Sequence, residues 1–344
     1  MTYLRNGWYV AALSSGLSRE PQKRVILEEP IVFYRTEAGA PVALSDRCPH
    51  RFAPLHKGKV KGDCIECPYH GLQFDSAGAC VFNPHGDHKI PQAAKVRSYP
   101  LEERAGVVWV WMGDASLADP SKLSDLTTFL GDGSMSVTES EYVLDGHYEV
   151  VLDNLLDLSH APFLHPTTLA DAENTNNLRF EMRQDGNTVW AYHYVPNSLP
   201  SAQFKPFRQS TEPLCDIHAH MRWDPPGSLQ FDVGVTELGR PDAEGLLMHM
   251  AHLITPIDMN HTRYILLAAR NFAVGVDEVS QVMKQQIDYA ITTEDEPMIS
   301  DVARNMGTTD LFALSPVLLP GDAAGVRVRR ILKQLREQEA ALIA

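Results

Sequence analysis

No run of this sequence approaches the roughly 20 consecutive apolar residues that a helix needs to cross a bilayer. The sequence therefore offers no candidate for a membrane-spanning helix. Positive charge is also short: 30 Lys and Arg stand against 44 Asp and Glu, for a formal net charge of −14. That balance argues against nucleic acid or an anionic membrane surface as the main partner. Internal repeats and low-complexity segments are lacking too. The first residues, MTYLRNGWYVAALSSGLS, include an arginine and a tryptophan and only a short, broken apolar stretch. They read as the first strand of a folded domain and not as a signal peptide, so a reducing cytoplasm is the expected setting. Cysteine is scarce: 5 in 344 residues, with Cys48, Cys64, Cys67 and Cys80 crowded near the start and Cys215 apart from them. In a reducing compartment such crowding favours metal over disulfides.

What is present divides the chain. At 344 residues, 44% of them hydrophobic, it is long enough for two globular domains. Residues 1–113 alternate short strand-like runs (WYVAAL, RVILEEPIVFYR, VVWVWM) with turn glycines, the pattern of a small all-β module. A polar segment over 114–140 reads as a linker. Residues 141–325 mix helical and strand patterns, which predicts an α+β domain. The helical parts are YEVVLDNLLDLSHAPFLH and VSQVMKQQIDYAITTEDEPMISDVARNM, and 326–344 reads as a charged amphipathic C-terminal helix.

Residues 48–70, CPHRFAPLHKGKVKGDCIECPYH, hold three cysteines and three histidines. Cys48-x-His50 and Cys67-x-x-His70 have ligand-like spacing. One inorganic reading is a closed Cys2His2 zinc site that merely staples the module. The other is a 2Fe-2S cluster with two cysteines on one iron and two histidines on the other. A common zinc finger places its cysteines in one arm and its histidines in the other. Here each arm supplies one of each, which favours the cluster. Cys64 and Cys80 are then ordinary thiols, and His56 lies outside the site. Further along, DNLLDLSHAPFLH offers His160 and His165 as a second pair. Their spacing of five is not that of neighbours on one helix face, and Pro162 between them predicts a break there. A helix end with partly exposed histidines accounts for the spacing equally well.

The motif Cys48-Pro49-His50-Arg51, then Cys67-Pro68-Tyr69-His70-Gly71, resembles the signature of the Rieske non-haem iron oxygenases. NGWYVAA before it and VRSYPLEERAGVVWVWMGD after it resemble that family's N-terminal domain. The likeness extends over the whole chain, nearest the subgroup of vanillate and dicamba O-demethylase oxygenase components. It implies a Rieske 2Fe-2S domain followed by a helix-grip, START-like catalytic domain with a mononuclear Fe(II). It implies His160, His165 and Asp295 as iron ligands, Asp295 being chosen from the row Glu294, Asp295, Glu296. It also implies a head-to-tail homotrimer in which Asp157 links His160 to His70 of the next chain. Three residues before His160, Asp157 can share its helix face and accept its ring N–H. Asn154, one turn further back, is expected near the open iron positions.

The expected activity is O-demethylation of an aromatic methyl ether acid with O2, yielding a phenol and formaldehyde. Electrons would come from a separate ferredoxin or flavin reductase. Other hydroxylations by the same iron, or a plain Rieske electron carrier, are the competing functions. The resemblance also implies substrate contacts from His252, in HLITP, which strand alternation puts on one face with Met248 and Met250, and from Gln230, which matches a position where relatives carry an amide. His218 and His220 share a strand face with no carboxylate partner in view and read as structural. His85 and His88 are assigned to a surface loop. Lys57, Lys59 and Lys61 form a basic run that a reductase could dock against.

Overall fold

Residues 2–125, 133–166, 168–169 and 178–343 are described by the computed structural model. The chain divides into one unit of Met1–Leu123 with Thr255–Asp258 and a second of Ser124–Ile254 with Met259–Ala344.

The first unit is built from β1 (Trp8–Leu13), β2 (Gln22–Ile26), β3 (Glu29–Arg35), β4 (Pro41–Ser45) and β5 (Lys59–Lys61). It continues with β6 (Cys64–Glu66), β7 (Gln73–Phe74), β8 (Cys80–Phe82), β9 (Leu101–Arg104) and β10 (Val107–Trp111). These form three sheets, ordered β1-β10-β9, β2-β3-β4 and β5-β6-β7-β8. β10, VVWVW, is buried along its whole length, as a β-branched and aromatic run with no polar alternation requires. Val32, Tyr34, Leu44, Leu55, Ile65 and Phe74 form one core with Cys48 and Cys67. The metal-type residues are thus anchored in the module's hydrophobic centre.

In the second unit, β11 (Ser136–Asp145) is followed by α1 (Tyr148–Leu156), α2 (Ala161–Leu164), β12 (Arg179–Asp185) and β13 (Thr188–Ser198). Then come β14 (Cys215–Asp224), β15 (Ser228–Thr236), β16 (Leu246–Pro256) and β17 (His261–Arg270). The helices α3 (Asp277–Tyr289), α4 (Glu296–Met306) and α5 (Ala323–Ile343) complete it. One seven-stranded sheet runs β11-β17-β16-β15-β14-β13-β12. Its first strand begins inside the segment read as a linker. SVTESEYVLD buries only Ser140 and Leu144 as it pairs with β17 from the edge, so its polar composition masked a strand. α3 and α4 are joined by a π-helical turn over Ala290–Asp295, making one interrupted helix where a regular one was expected.

α1 packs against α4 and α5. α5 is fixed to α1 by a buried charge network. Arg329, 3% exposed, reaches Glu149 at 2.9 Å and Asp153 at 2.7 Å, and Arg336 also pairs with Glu149. Ions this deep are tolerated because each is matched; removing one strands the others in low dielectric. Arg329→Ala is therefore expected to destabilise the protein by about 3–5 kcal/mol. Urea unfolding of the two forms measures it, and a loss under about 1 kcal/mol would contradict the network's burial.

Candidate active site

Two loops of the first unit repeat one backbone device. The Cys48 N–H donates to the Ala53 carbonyl and its own carbonyl accepts from the Phe52 N–H, both at 2.9 Å. Cys67 does the same with Leu72 at 2.8 Å and Gly71 at 3.0 Å. The residue four places after each cysteine is left-handed, with φ of 59° at Phe52 and 73° at Gly71. Glycine takes that conformation without strain. Phenylalanine does not, and Phe52 lies against the Arg47 guanidinium, 4.1 Å from its ring centroid.

Matching loops deliver matching side chains. Cys48 and Cys67 are buried, while His50 and His70 face each other with ring centroids 4.4 Å apart. Burial pushes the Cys48 thiol up to about 11, and its contact with Cys67 adds to the effect. His70 Nδ1 is buried without a hydrogen-bond partner. His85 is closer to the motif than a surface loop implies, since its Nε2 pairs with the His70 carbonyl at 2.8 Å. His88 pairs with the Asn83 carbonyl. Two of the three lysines in the basic run, Lys59 and Lys61, are paired with Glu66.

A paired set of buried thiols and an imidazole nitrogen lacking a partner suit a 2Fe-2S group held by two sulfurs and two nitrogens. A tetrahedral zinc site would draw four donor atoms to within ~4 Å of one another. Among the described residues, one group brings three or more such atoms within 4.8 Å, and it lies in the second unit.

That group is His160, His165 and Asp295. α1 ends at Asp157, whose φ of −112° and ψ of 88° leave helical geometry. The expected break thus falls five residues before Pro162, which sits harmlessly in the first turn of α2, where no N–H is needed. Asp157 also differs from expectation in its contacts. Its carboxylate accepts from the Ser159 N–H at 3.0 Å, and its backbone carbonyl, not its side chain, holds His160 Nδ1 at 2.6 Å. The tight turn over Leu158–His160 that starts from Asp157 brings the His160 ring back onto that carbonyl, while the carboxylate caps the turn.

The π-helical turn sets the other side. Widening the helix at Ala290–Asp295 lets consecutive carboxylates address one imidazole. Glu294 holds His165 Nδ1 at 2.8 Å and also accepts from Thr168 Oγ1 at 2.8 Å. Asp295 Oδ1 lies 3.2 Å from His165 Nε2 and 3.7 Å from His160 Nε2, and it accepts from Asn154 Nδ2 at 3.1 Å. Since both Nδ1 atoms face acceptors, both rings present an Nε2 lone pair toward the Asp295 oxygen. Three electron-pair donors converging on one point suit a divalent cation. Burial lowers the His160 pKa despite Asp295; for His165, burial is outweighed by bonds and charge from Asp295 and Glu294, which raise it.

The metal-type triad lies at a cavity of about 440 Å³, of the size used for small aromatic ligands. Strand alternation supplies its walls: Ile217, Ala219 and Met221 from β14, Phe231 and Val233 from β15, Met250 and His252 from β16. Gln230 is a correction. It occupies the opposite face from Phe231 and donates to Asp232 at 3.0 and 2.9 Å, away from the cavity. His218 and His220 also face away, and they do have a carboxylate partner. Asp242, distant in sequence, approaches each at 3.5 Å. His252 lines the cavity as expected; its Nδ1 pairs with the Tyr264 hydroxyl and its Nε2 is buried without a partner.

The matches to known proteins run along both units. Residues 7–100 match the Rieske [2Fe-2S] domain family and residues 144–338 the vanillate O-demethylase oxygenase C-terminal domain family. Dicamba O-demethylase, oxygenase component, of Stenotrophomonas maltophilia is 33% identical over 99% of this chain and 100% of its own. Chloroacetanilide N-alkylformylase, oxygenase component, of Rhizorhabdus wittichii is 33% identical over 96% and 95%. The crystal structure of dicamba monooxygenase with non-haem iron and dicamba superposes with a TM-score of 0.87, at 32% identity and 99% coverage of both chains. The chain belongs to the Rieske non-haem iron oxygenases. Its cofactors are the Rieske 2Fe-2S cluster and a mononuclear iron.

Some of this oxygenase's site residues escaped the sequence reading. Glu294 stood in the same acidic row as Asp295, but the resemblance placed the ligand on Asp295 and assigned Glu294 no role. Tyr264, His193 and Thr168 carried no local signal at all. His193 lines the cavity with both ring nitrogens buried. Burial pushes His193 down to about 4, His252 to about 3 and His147, the N-cap of α1, to about 4. All three are neutral in the fold, whereas the unfolded chain protonates them near pH ~6.5. Their contribution to stability is complete above about pH 6.5 and is lost as pH falls toward about 4. The urea midpoint should drop steadily over that interval; a flat profile would contradict three buried neutral imidazoles.

Proposed function

We propose that this oxygenase demethylates an aromatic methyl ether, converting it with O2 to a phenol and formaldehyde. The observation that carries the reading is the meeting of His160, His165 and Asp295 at a mostly apolar cavity of ring-sized volume. We assign these three residues as ligands of the iron, and Cys48, Cys67, His50 and His70 as ligands of the cluster. When bound, the cluster would supply electrons and the iron the capacity to activate oxygen; overall, the methyl ether, O2, two electrons from the reductase and two protons would give the hemiacetal and one water, and the hemiacetal then collapses to a phenol and formaldehyde.

The chain's own residues supply placement and protection. Glu294 and the Asp157 carbonyl orient the two imidazoles through Nδ1, so each keeps Nε2 free as a donor. Asn154 steadies the Asp295 carboxylate by donating to it. The apolar walls from β14, β15 and β16 exclude water and hold the ring so that its methyl group faces the triad. His252, backed by the Tyr264 hydroxyl, is the polar point against which the ring is oriented. Asp157 is the proposed bridge toward a neighbouring chain in a homotrimer, supported by its position at the end of α1, three residues before His160 and bonded to its ring through the backbone carbonyl. A separate reductase in the cytoplasm would deliver electrons, consistent with relatives named as oxygenase components of larger systems.

N-dealkylation is a second reading, favoured by the equal identity to the N-alkylformylase component. Turnover of methoxyarenes with an added reductase, scored by formaldehyde together with the phenol, separates the two. Substitution tests the ligand roles directly. His160→Ala is expected to abolish turnover and leave the cluster's visible spectrum unchanged; retained turnover would remove His160 from the iron. Glu294→Gln keeps all three ligands but weakens the hold on His165, so iron affinity should fall about 10–100-fold. Iron retained after passage over a chelating resin reads that out.

A further inference from the structure

We propose that the cavity accepts an uncharged aromatic substrate and discriminates against an ionised aromatic acid. The inference rests on the reading that this cavity is the substrate site, and it narrows what enters. Among the described residues, no lysine or arginine lines its walls. The residues outside the described set (1, 126–132, 167, 170–177 and 344) include no lysine or arginine either, so none of them can supply one. The two wall imidazoles not assigned to the iron, His193 and His252, are held neutral by burial. At the metal end, the carboxylates of Asp295 and Glu294 balance the charge of one divalent ion and leave no net positive charge for an anion.

Gln230, the amide expected at the substrate, is turned outward and bound to Asp232, while Phe231 takes the inward place; the amides that do line the cavity, Asn154 and Gln203, carry no charge. An ionised acid would therefore shed its water and find no counter-charge, the costliest form of burial. A neutral carbonyl, amide or phenol fits better. A neutral imidazole offers one donor and one acceptor, and the Nε2 of His252, buried without a partner among the described residues, is available for such groups.

The test uses matched pairs of ortho-, meta- and para-methoxybenzamide and the corresponding methoxybenzoates. Binding to the anaerobic holoenzyme is measured by titration calorimetry at neutral pH. In each pair that binds, the amide should bind at least about a hundredfold more tightly than the carboxylate. A carboxylate binding as well as its amide, or no amide binding across the panel, overturns the proposal. Met221→Lys, which adds a cation to the wall, should narrow or reverse the preference; its thermal unfolding is followed to show that the variant folds. Formaldehyde release with an added reductase is scored separately. Amide preference without formaldehyde sustains the charge selection and refutes O-demethylation, whereas formaldehyde from the acids alone does the opposite.

Discussion

One imidazole gripped from both sides organises the catalytic unit. His165 has Glu294 on Nδ1 and Asp295 near Nε2, and two adjacent residues can manage this because the helix between α3 and α4 widens for a turn. In a regular helix their side chains would diverge by about 100°. The wide turn therefore fixes the His165 tautomer, the place of Asp295 and, through Asn154, the approach of α1. Arg329 then ties α1 to α5, so the C-terminal helix is mechanically part of the site although it contributes nothing to it directly.

The sheet explains the rest of the cavity. β13 to β16 each send alternate residues inward, and those residues are mainly aliphatic, aromatic or thioether in character. The outward set on β14 and β15 is polar: His218, His220, Gln230 and Asp232. A sheet with one face against ligand and the other against side-chain pairs separates recognition from solubility by strand alternation alone. This is also why the relatives can share a backbone so closely at about a third identity: walls can change without moving the triad.

Much of this was legible in the sequence. Cys48-x-His50 and Cys67-x-x-His70 announce a two-armed site because ligand spacing is local, and the metal-type histidines lie in one short segment. Less legible were features set by partners far along the chain. Asp157 was expected to use its side chain, but the turn after α1 presents its carbonyl instead. Gln230 was expected at the substrate because it matched a position where relatives carry an amide; such a match gives no phase for the strand, and only its register against β14 and β16 does. The edge strand β11 looked like linker because half of it faces water. Asp242 escaped notice as the partner of His218 and His220 since contact across a loop leaves no periodicity to read.

The twin cysteine loops carry one further implication. Their shared backbone geometry turns both sulfurs into the core and both imidazoles outward, with Tyr69 and Phe52 exposed beside them. The module is thus insulated on one side and open on the other, like a cable stripped at a single end. An electron-carrying partner need not recognise the rest of this acidic surface in detail. It has to reach the imidazole edge, and the fold has already decided which way that edge faces.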